Sequence, residues 1–243
     1  MDRMIYLSMS GAKATLQRQD VLAHNLANVS TPGFRAEIAA FRAVPVRGDG
    51  ASTRVYALES TPGHSDAPGV VQSTGRALDV AVDGKSWLAV QALDGTEAYT
   101  RGGALDLDAE GQLVTRNGLP VLGDGGPISV PANAQLDIGA DGTVSAHVGS
   151  PKAQVLGRLK LVTPEAALAR GDDGLFRSPG GELDADPKAR VQQGALEGSN
   201  VSPVETMVAM IAAARQFEQQ MKMLQAAEQK EQAATKLLSA GPG

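Results

Sequence analysis

Apolar residues in the first 28 positions recur at alternating steps of four and three. A helix places such positions on one narrow stripe, which is typical of a coiled-coil seam and narrower than the apolar face of most core helices. We therefore predict a helix from about residue 3 to Asn28. The predicted seam includes Ile5, Met9, Leu16 and Leu26.

The same spacing returns at the other end of the chain, where we predict a second helix from Pro203 to about Leu238. Its start carries a capping-box pattern, with Ser202 before Pro203 and Glu205 three positions after the serine. The predicted seam of this helix is Met207, Met210, Phe217, Met221 and Leu224.

The first helix is followed by Asn-Val-Ser-Thr-Pro-Gly, residues 28–33. Proline fixes φ and glycine supplies a positive φ, so Pro32 and Gly33 suit the two central positions of a type II turn. We predict that the first helix ends abruptly here.

The middle of the chain consists of short alternating apolar segments separated by turn dipeptides, the pattern of antiparallel hairpins. These dipeptides are Asp83-Gly84, Asp94-Gly95, Glu110-Gly111, Asn117-Gly118 and Asp141-Gly142. The stretch from about Val44 to Thr74 is rich in Pro, Gly and Ser and predicts an extended connector.

Together these patterns predict a mixed α and β fold. Its N- and C-terminal helices would form a coiled-coil-like bundle, and the centre would be an antiparallel β-rich domain. The predicted divisions are 1–35 (helix and turn), 36–74 (connector), 75–198 (β domain) and 199–243 (C-terminal helix). Periodicity alone leaves open that both helices simply pack on the β domain.

Composition narrows the function classes. The chain has no cysteine, which excludes a disulfide scaffold, a thiolate zinc site and a cysteine nucleophile. Its net charge of −5 argues against a nucleic-acid binder, which would normally carry a basic stripe. No apolar run approaches the roughly 20 residues of a membrane span, and no signal-peptide pattern begins the chain.

No assembled catalytic or metal-ligating pattern is present. His24, His64 and His147 are isolated and lack the spacing of a zinc helix. Asp106 to Gly111 resembles the opening of a calcium loop, but Asn117 replaces its bidentate Glu, so an Asp-rich hairpin turn is the better interpretation. We therefore predict a non-enzyme with no catalytic, cofactor or metal site.

Three stretches of this sequence resemble the bacterial flagellar rod and hook proteins. They are residues 25–35 (NLANVSTPGFR), the blocks 74–82, 87–90 and 99–102, and residues 194–201 (GALEGSNV). The length and the segment after residue 35 resemble the proximal-rod subunit, with the distal-rod protein as the alternative within the family.

The resemblance implies a structural subunit of the flagellar basal-body rod, which crosses the periplasm and serves motility. It implies as partners copies of the chain, other rod proteins and the flagellar type III export apparatus, with export as an unfolded chain, no cleaved signal peptide, no cofactor, no nucleic acid and no membrane insertion. The other class of function left open is a monomeric β-rich binding module.

The resemblance also indicates which residues serve assembly by fixing the two helix ends in register. They are Asn25, Leu26, Asn28, Thr31, Pro32, Gly33 and Phe34 near the first helix, with Leu196, Glu197, Ser199 and Asn200 before the second. We expect both ends to be mobile in the free monomer, and residues of about 75–195 to be folded.

Overall fold

The computed structural model describes residues 2–45, 55–132, 134–148 and 153–239. Its helices are α1 (Asp2–Ala27) and α2 (Pro203–Ser239). The strands are β1 (Glu37–Pro45), β2 (Val55–His64), β3 (Val71–Ser73), β4 (Val80–Val82), β5 (Trp87–Gln91), β6 (Glu97–Thr100), β7 (Leu105–Leu107), β8 (Leu113–Thr115), β9 (Leu122–Gly123), β10 (Gly126–Pro127), β11 (Gln135–Ile138), β12 (Thr143–His147), β13 (Gln154–Arg158), β14 (Leu161–Val162), β15 (Ala169–Arg170), β16 (Phe176–Arg177), β17 (Val191–Gln193) and β18 (Ala195–Glu197).

The chain divides into two compact units. The helix–hairpin unit consists of Met1–Ala27, Glu37–Ser65 and Val201–Gly243, and the β unit of Asn28–Ala36 and Asp66–Asn200. The two predicted helices and the antiparallel β-rich centre are confirmed. Within the described ranges, neither helix combines the length and the apolar character that a membrane span needs.

In the helix–hairpin unit, α1 and α2 pack against each other, and their buried side chains are small or polar. The buried positions are Ser8, Thr15 and Asn25 on α1 and Thr206, Ala213 and Ala227 on α2. Thr15 keeps its hydroxyl satisfied by donating to the Gly11 carbonyl at 2.8 Å, one helical turn back. Small residues at a contact let two helix backbones approach closely.

The predicted seam only partly follows this contact. Ile5 and Leu26 are partly buried, and so are Met210, Phe217, Met221 and Leu224. Met9, Leu16 and Met207 are 61%, 45% and 51% exposed. These three therefore do not pack between α1 and α2 of the single chain, and their place in a seam with other copies stays a prediction.

The predicted connector contains a structure that the sequence did not indicate. Strands β1 and β2 form an antiparallel hairpin, with Glu37 opposite His64 and Pro45 opposite Val55. Most of β1 is exposed on both faces, so no alternation of apolar and polar residues marks it as a strand. Residues 46–54 of the predicted connector lie outside the described residues.

The β unit is built around a five-stranded sheet of order β14-β5-β6-β16-β15. Successive side chains of β5 point to opposite faces of the sheet. Leu88 and Val90 enter the larger apolar core, and Trp87 and Ala89 enter a second core with Tyr99 and Phe176. Both faces of the sheet are therefore buried.

The predicted turns are present, with one correction. The glycine of each of the five dipeptides has a positive φ. The Asp94-Gly95, Glu110-Gly111 and Asp141-Gly142 turns join strands that pair with each other. Asp83-Gly84 joins β4 to β5, which pair with other strands and not with each other, so its prediction as a hairpin turn is wrong.

Candidate functional site

The turn that follows α1 in the chain has the predicted type II geometry. Phe34 N–H donates to the Thr31 carbonyl at 3.2 Å, and Gly33 has a φ of 71°. A Cβ on Gly33 would lie 2.2 Å from the backbone carbon of Arg101. Only glycine fits here, because both the φ angle and the close backbone exclude a side chain. We call residues 28–35 the signature turn.

Glu197, the last residue of β18, is the most buried of the predicted site residues, with 1% of its surface exposed. Its Oε1 lies 2.9 Å from Arg35 Nη1 and accepts a hydrogen bond from Gly69 N–H at 2.8 Å. Its Oε2 accepts from Arg101 Nε at 2.7 Å and lies 2.5 Å from Arg101 Nη2. One carboxylate thus receives donors from three separate segments of the β unit.

The one carboxylate cannot accept every N–H group of the two guanidiniums, so backbone carbonyls accept the others. Arg35 also donates to the Ala67 carbonyl at 2.5 Å, and Arg101 to the Gly84 carbonyl at 3.1 Å and to that of Ser86. Burial lowers the pKa of Arg35, and the nearby Glu197 opposes that shift. We call Arg35, Arg101 and Glu197 the buried charge cluster.

Backbone bonds tie the same segments together. Gly33 N–H donates to the Glu197 carbonyl at 2.8 Å, and Ala36 N–H donates to Asn200 Oδ1 at 2.7 Å. Asn200 Nδ2 donates in turn to the Ala67 carbonyl at 2.8 Å. The segment after α1 and the segment before α2 are therefore joined directly within the β unit.

Other predicted assembly residues lie beside Glu197 and in the signature turn. Leu196 lies opposite Gln72 in the β18–β3 pair and is partly buried. Ser199 is also partly buried. At the signature turn, Asn28 accepts a hydrogen bond from the Thr31 hydroxyl at 3.1 Å, and Pro32 is partly buried beside them.

Asn25 belongs to the helix–hairpin unit, and its side chain makes the pair of hydrogen bonds with Glu37 that a neighbouring strand backbone would make. Its Nδ2 donates to the Glu37 carbonyl at 2.9 Å, and its Oδ1 accepts from Glu37 N–H at 2.8 Å. The side chain of Glu37 lies 3.0 Å from His24 Nδ1. Asn25 is 6% exposed and Leu26 is partly buried, so the last turn of α1 holds the start of β1.

The predicted site residues did not include Arg35, Arg101, Gly69 or Arg170, although Arg35 and Arg101 lie in blocks that carry the family resemblance. Each owes its role to a pairing across a long stretch of chain, and the periodicity of the sequence does not reveal such a partner. Arg170 lies over the Phe34 ring, with its guanidinium carbon 4.7 Å from the ring centroid, and this contact helps to bury Phe34.

The cluster is built to hold segments together and not to react. The Glu197 carboxylate is closed to solvent and its two oxygens already receive donors from Arg35, Arg101 and Gly69, so it has no free position for a substrate or metal. Among the described residues, no group of three or more His, Cys, Asp and Glu side chains comes close enough to hold a metal ion.

The chain matches known protein families at both of the segments that form this site. Residues 5–35 match the family described as flagella basal body rod protein, and residues 192–237 match the C-terminal family of the flagellar basal body rod FlgEFG proteins. Residues 81–146 match the D1 domain of the flagellar hook proteins FlgE/F/G. The signature turn and Glu197 thus lie in the first two matched regions.

The relatives agree with these matches along the whole chain. The flagellar basal-body rod protein FlgF of Salmonella typhimurium is 50% identical over 98% of this chain and 99% of its own length. FlgF of Escherichia coli is 49% identical over the same shares. The rod protein FlgG of Bacillus subtilis is 33% identical over 91% of this chain and 94% of its own.

The chain is thus more similar to these FlgF proteins than to this FlgG protein, as the resemblance in the sequence indicated. The family is structural and not an enzyme family, in agreement with a site that is closed to substrate. This chain belongs to the flagellar basal-body rod protein family.

Proposed function

We propose that this rod subunit polymerises through α1 and α2, which pair with the same helices of neighbouring subunits in a coiled-coil-like bundle. The neighbours are copies of the chain and other rod proteins. The observation that carries the proposal is the large apolar surface that both helices leave exposed.

That surface lies away from the contact between the helices. Val204, Met207, Val208 and Ile211 are 70%, 51%, 62% and 56% exposed. At about 100° per residue these four share one side of α2, on the side opposite the buried Thr206. On α1, Tyr6, Met9 and Leu16 are also exposed and share one face.

Exposed apolar side chains that cluster on one face of a helix often mark an interaction surface. Burying such a side chain fully is worth about 1.5–3 kcal/mol, so several of them offset the entropy of ordering two long helices. We therefore propose that addition to a growing end completes the folding of the terminal helices, and that residues of about 75–195 are folded beforehand.

The assembly residues act in this scheme by fixing the chain where it enters and leaves the helices. Glu197 and Asn200 hold the segment before α2 to the signature turn after α1. Asn25 and Leu26 fix the last turn of α1 itself. We keep the predicted division of the chain into residues 1–35, 36–74, 75–198 and 199–243 as part of this proposal, with the first and last segments serving assembly.

The proposed location is the rod where it crosses the periplasm, in the proximal part, after export as an unfolded chain by the flagellar type III apparatus. The greater identity to the FlgF relatives than to FlgG supports the proximal over the distal position. The alternative of a monomeric binding module would need an exposed aromatic platform. Trp87, the only tryptophan, is 6% exposed and lies in a core, which disfavours it.

Sedimentation velocity over a concentration series tests the proposal with two variants of the full chain. Met207→Lys with Ile211→Lys places two charges on the exposed face of α2, and Gln216→Lys places one at an exposed polar position of the same helix. We expect wild type and the control to form larger species and the double variant to stay monomeric. Assembly of the double variant at wild-type concentrations would contradict the proposal.

A further inference from the structure

The β unit has a groove of about 270 Å³ beside the signature turn. Its walls include the turn residues Thr31 to Arg35, the β8–β9 segment at Arg116 and Asn117, and the β15–β16 segment at Arg170 and Asp173. The groove is outside the buried charge cluster, although Arg35 contributes to both.

The groove carries an excess of positive charge. Arg116 is exposed, and its side chain makes no hydrogen bond or ion pair with a described residue. Arg170 covers the Phe34 ring on the other wall. The single acidic lining residue, Asp173, is already paired with Arg177 through contacts of 2.7 and 3.1 Å, which lower the pKa of Asp173. A carboxylate is the complementary ligand.

The β unit also has an acidic loop, whose negative charge is opposite to the charge of the groove. Glu182 and Asp184 are exposed, and neither makes a hydrogen bond or ion pair with a described residue. Between them, Leu183 packs on the second core and donates its N–H to the Tyr99 hydroxyl at 2.7 Å. This anchor holds the two carboxylates outward in a preformed loop, so little entropy is lost when they bind.

We propose that the groove of one copy of this chain receives Glu182 and Asp184 of the next copy. The inference rests on the proposed function, because it adds a contact to the same polymer. Within one chain Arg116 makes no ion pair with either carboxylate, so both charges are available to a second copy. A contact between two different patches is heterologous and repeats without closing on itself, which is the geometry of a filament.

Charge reversal in the full chain tests the pairing. Arg116→Glu removes the cation of the groove, and Glu182→Lys with Asp184→Lys reverses the loop. We expect each to raise the concentration for half-assembly about tenfold, since a like-charge contact replaces an attraction. The chain carrying all three changes should return to within about threefold of wild type. Lys85→Glu and Asp124→Lys, at exposed positions outside the groove and loop, serve as controls.

Mixing the two defective chains gives a sharper result. In the mixture each groove meets a loop of opposite charge on the other chain, so we expect the mixture to assemble from alternating copies near the wild-type concentration although neither chain does so alone. Wild-type assembly of either reversed chain would overturn the proposal. Failure of the triple variant to recover would assign the groove to a different acidic partner and would equally overturn the second-copy occupant.

A binding measurement separates this inference from self-assembly. A fluorescent peptide of residues 178–188 is titrated into the full chain carrying Met207→Lys and Ile211→Lys, and anisotropy is recorded. We expect binding that falls at least about tenfold with Arg116→Glu, or with Gln and Asn in place of Glu182 and Asp184. Such binding stands even where the wild type does not polymerise. Equal binding to the Arg116→Glu chain would overturn the groove.

Discussion

The two units of this chain use apolar residues in opposite ways. In the β unit the large apolar side chains of β5, β6 and β8 are fully buried, as Leu88, Tyr99 and Leu113 illustrate. Among the side chains that the structure describes, the helix–hairpin unit has as buried apolar residues only Val201, Ala213 and Ala227. Its larger apolar side chains are half-buried or exposed.

From this difference we expect the β unit to determine stability and the helix faces to determine association. The β unit has a complete core and a buried charge cluster, so it has what an independently folded domain needs. The buried side chains of the helices are small or polar, and a second, apolar face stays exposed. A change in the β unit should therefore alter unfolding, and a change on the helix faces should alter association.

The largest effect is expected from Glu197→Ala, which leaves Arg35 and Arg101 buried without their counter-ion. Breaking a buried ion pair from one side costs about 3–5 kcal/mol of unfolding free energy. The emission of Trp87, which lies in the β unit, reports the midpoint of urea unfolding. Glu182→Ala, at an exposed carboxylate, is the control. Equal midpoints for the two variants would show that the cluster adds nothing to stability.

A core residue and an exposed helix residue give the direct contrast. Leu113→Ala should lower the unfolding free energy by about 2–5 kcal/mol, because it opens a cavity in a filled core. Ile211→Ala should change the same quantity by less than about 0.5 kcal/mol and should weaken association instead. A destabilisation by Ile211→Ala as large as that by Leu113→Ala would remove the distinction between the units.

Two glycines separate backbone strain from steric overlap at the signature turn. Gly33 and Gly75 have φ angles of 71° and 70°, but a Cβ would contact the Arg101 backbone only at Gly33. We expect Gly75→Ala to cost about 1 kcal/mol of unfolding free energy and Gly33→Ala about 2–3 kcal/mol. Urea titrations of both variants check this. Equal costs would mean that the Arg101 backbone can move aside.

The smallest effect concerns acid. The pKa of Asp173 is lowered by hydrogen bonds from Arg177, and that of Asp141 by Thr143. A carboxyl group with a lowered folded-state pKa stabilises the fold above its unfolded pKa of about 4, and this stability is lost as pH falls through the folded value. The Trp87 unfolding midpoint should decrease between about pH 5 and pH 3. Asp173→Asn should reduce that dependence, and an unchanged pH profile would contradict the assignment.

Local patterns were sufficient to predict the two helices, the type II turn at Pro32 and Gly33, and the antiparallel centre. They failed where the outcome depends on distant residues. The β1–β2 hairpin has no buried face to mark its strands, and the partners of Glu197 are separated from it by long stretches of chain. The predicted seam at Met9 and Leu16 is exposed in the single chain and stays a prediction for the assembly, because periodicity defines an apolar stripe but does not tell which neighbour will cover it.

Hydrogen exchange on the full chain, free and assembled, tests the central claim that the β unit is complete alone and that the helices await neighbours. We predict that amides of β5 and β6 are strongly protected in both states. Amides of α1 and α2 should exchange much faster in the dilute monomer and gain protection on assembly. Helix amides protected as strongly as those of β5 in the free monomer, with no gain on assembly, would contradict the account.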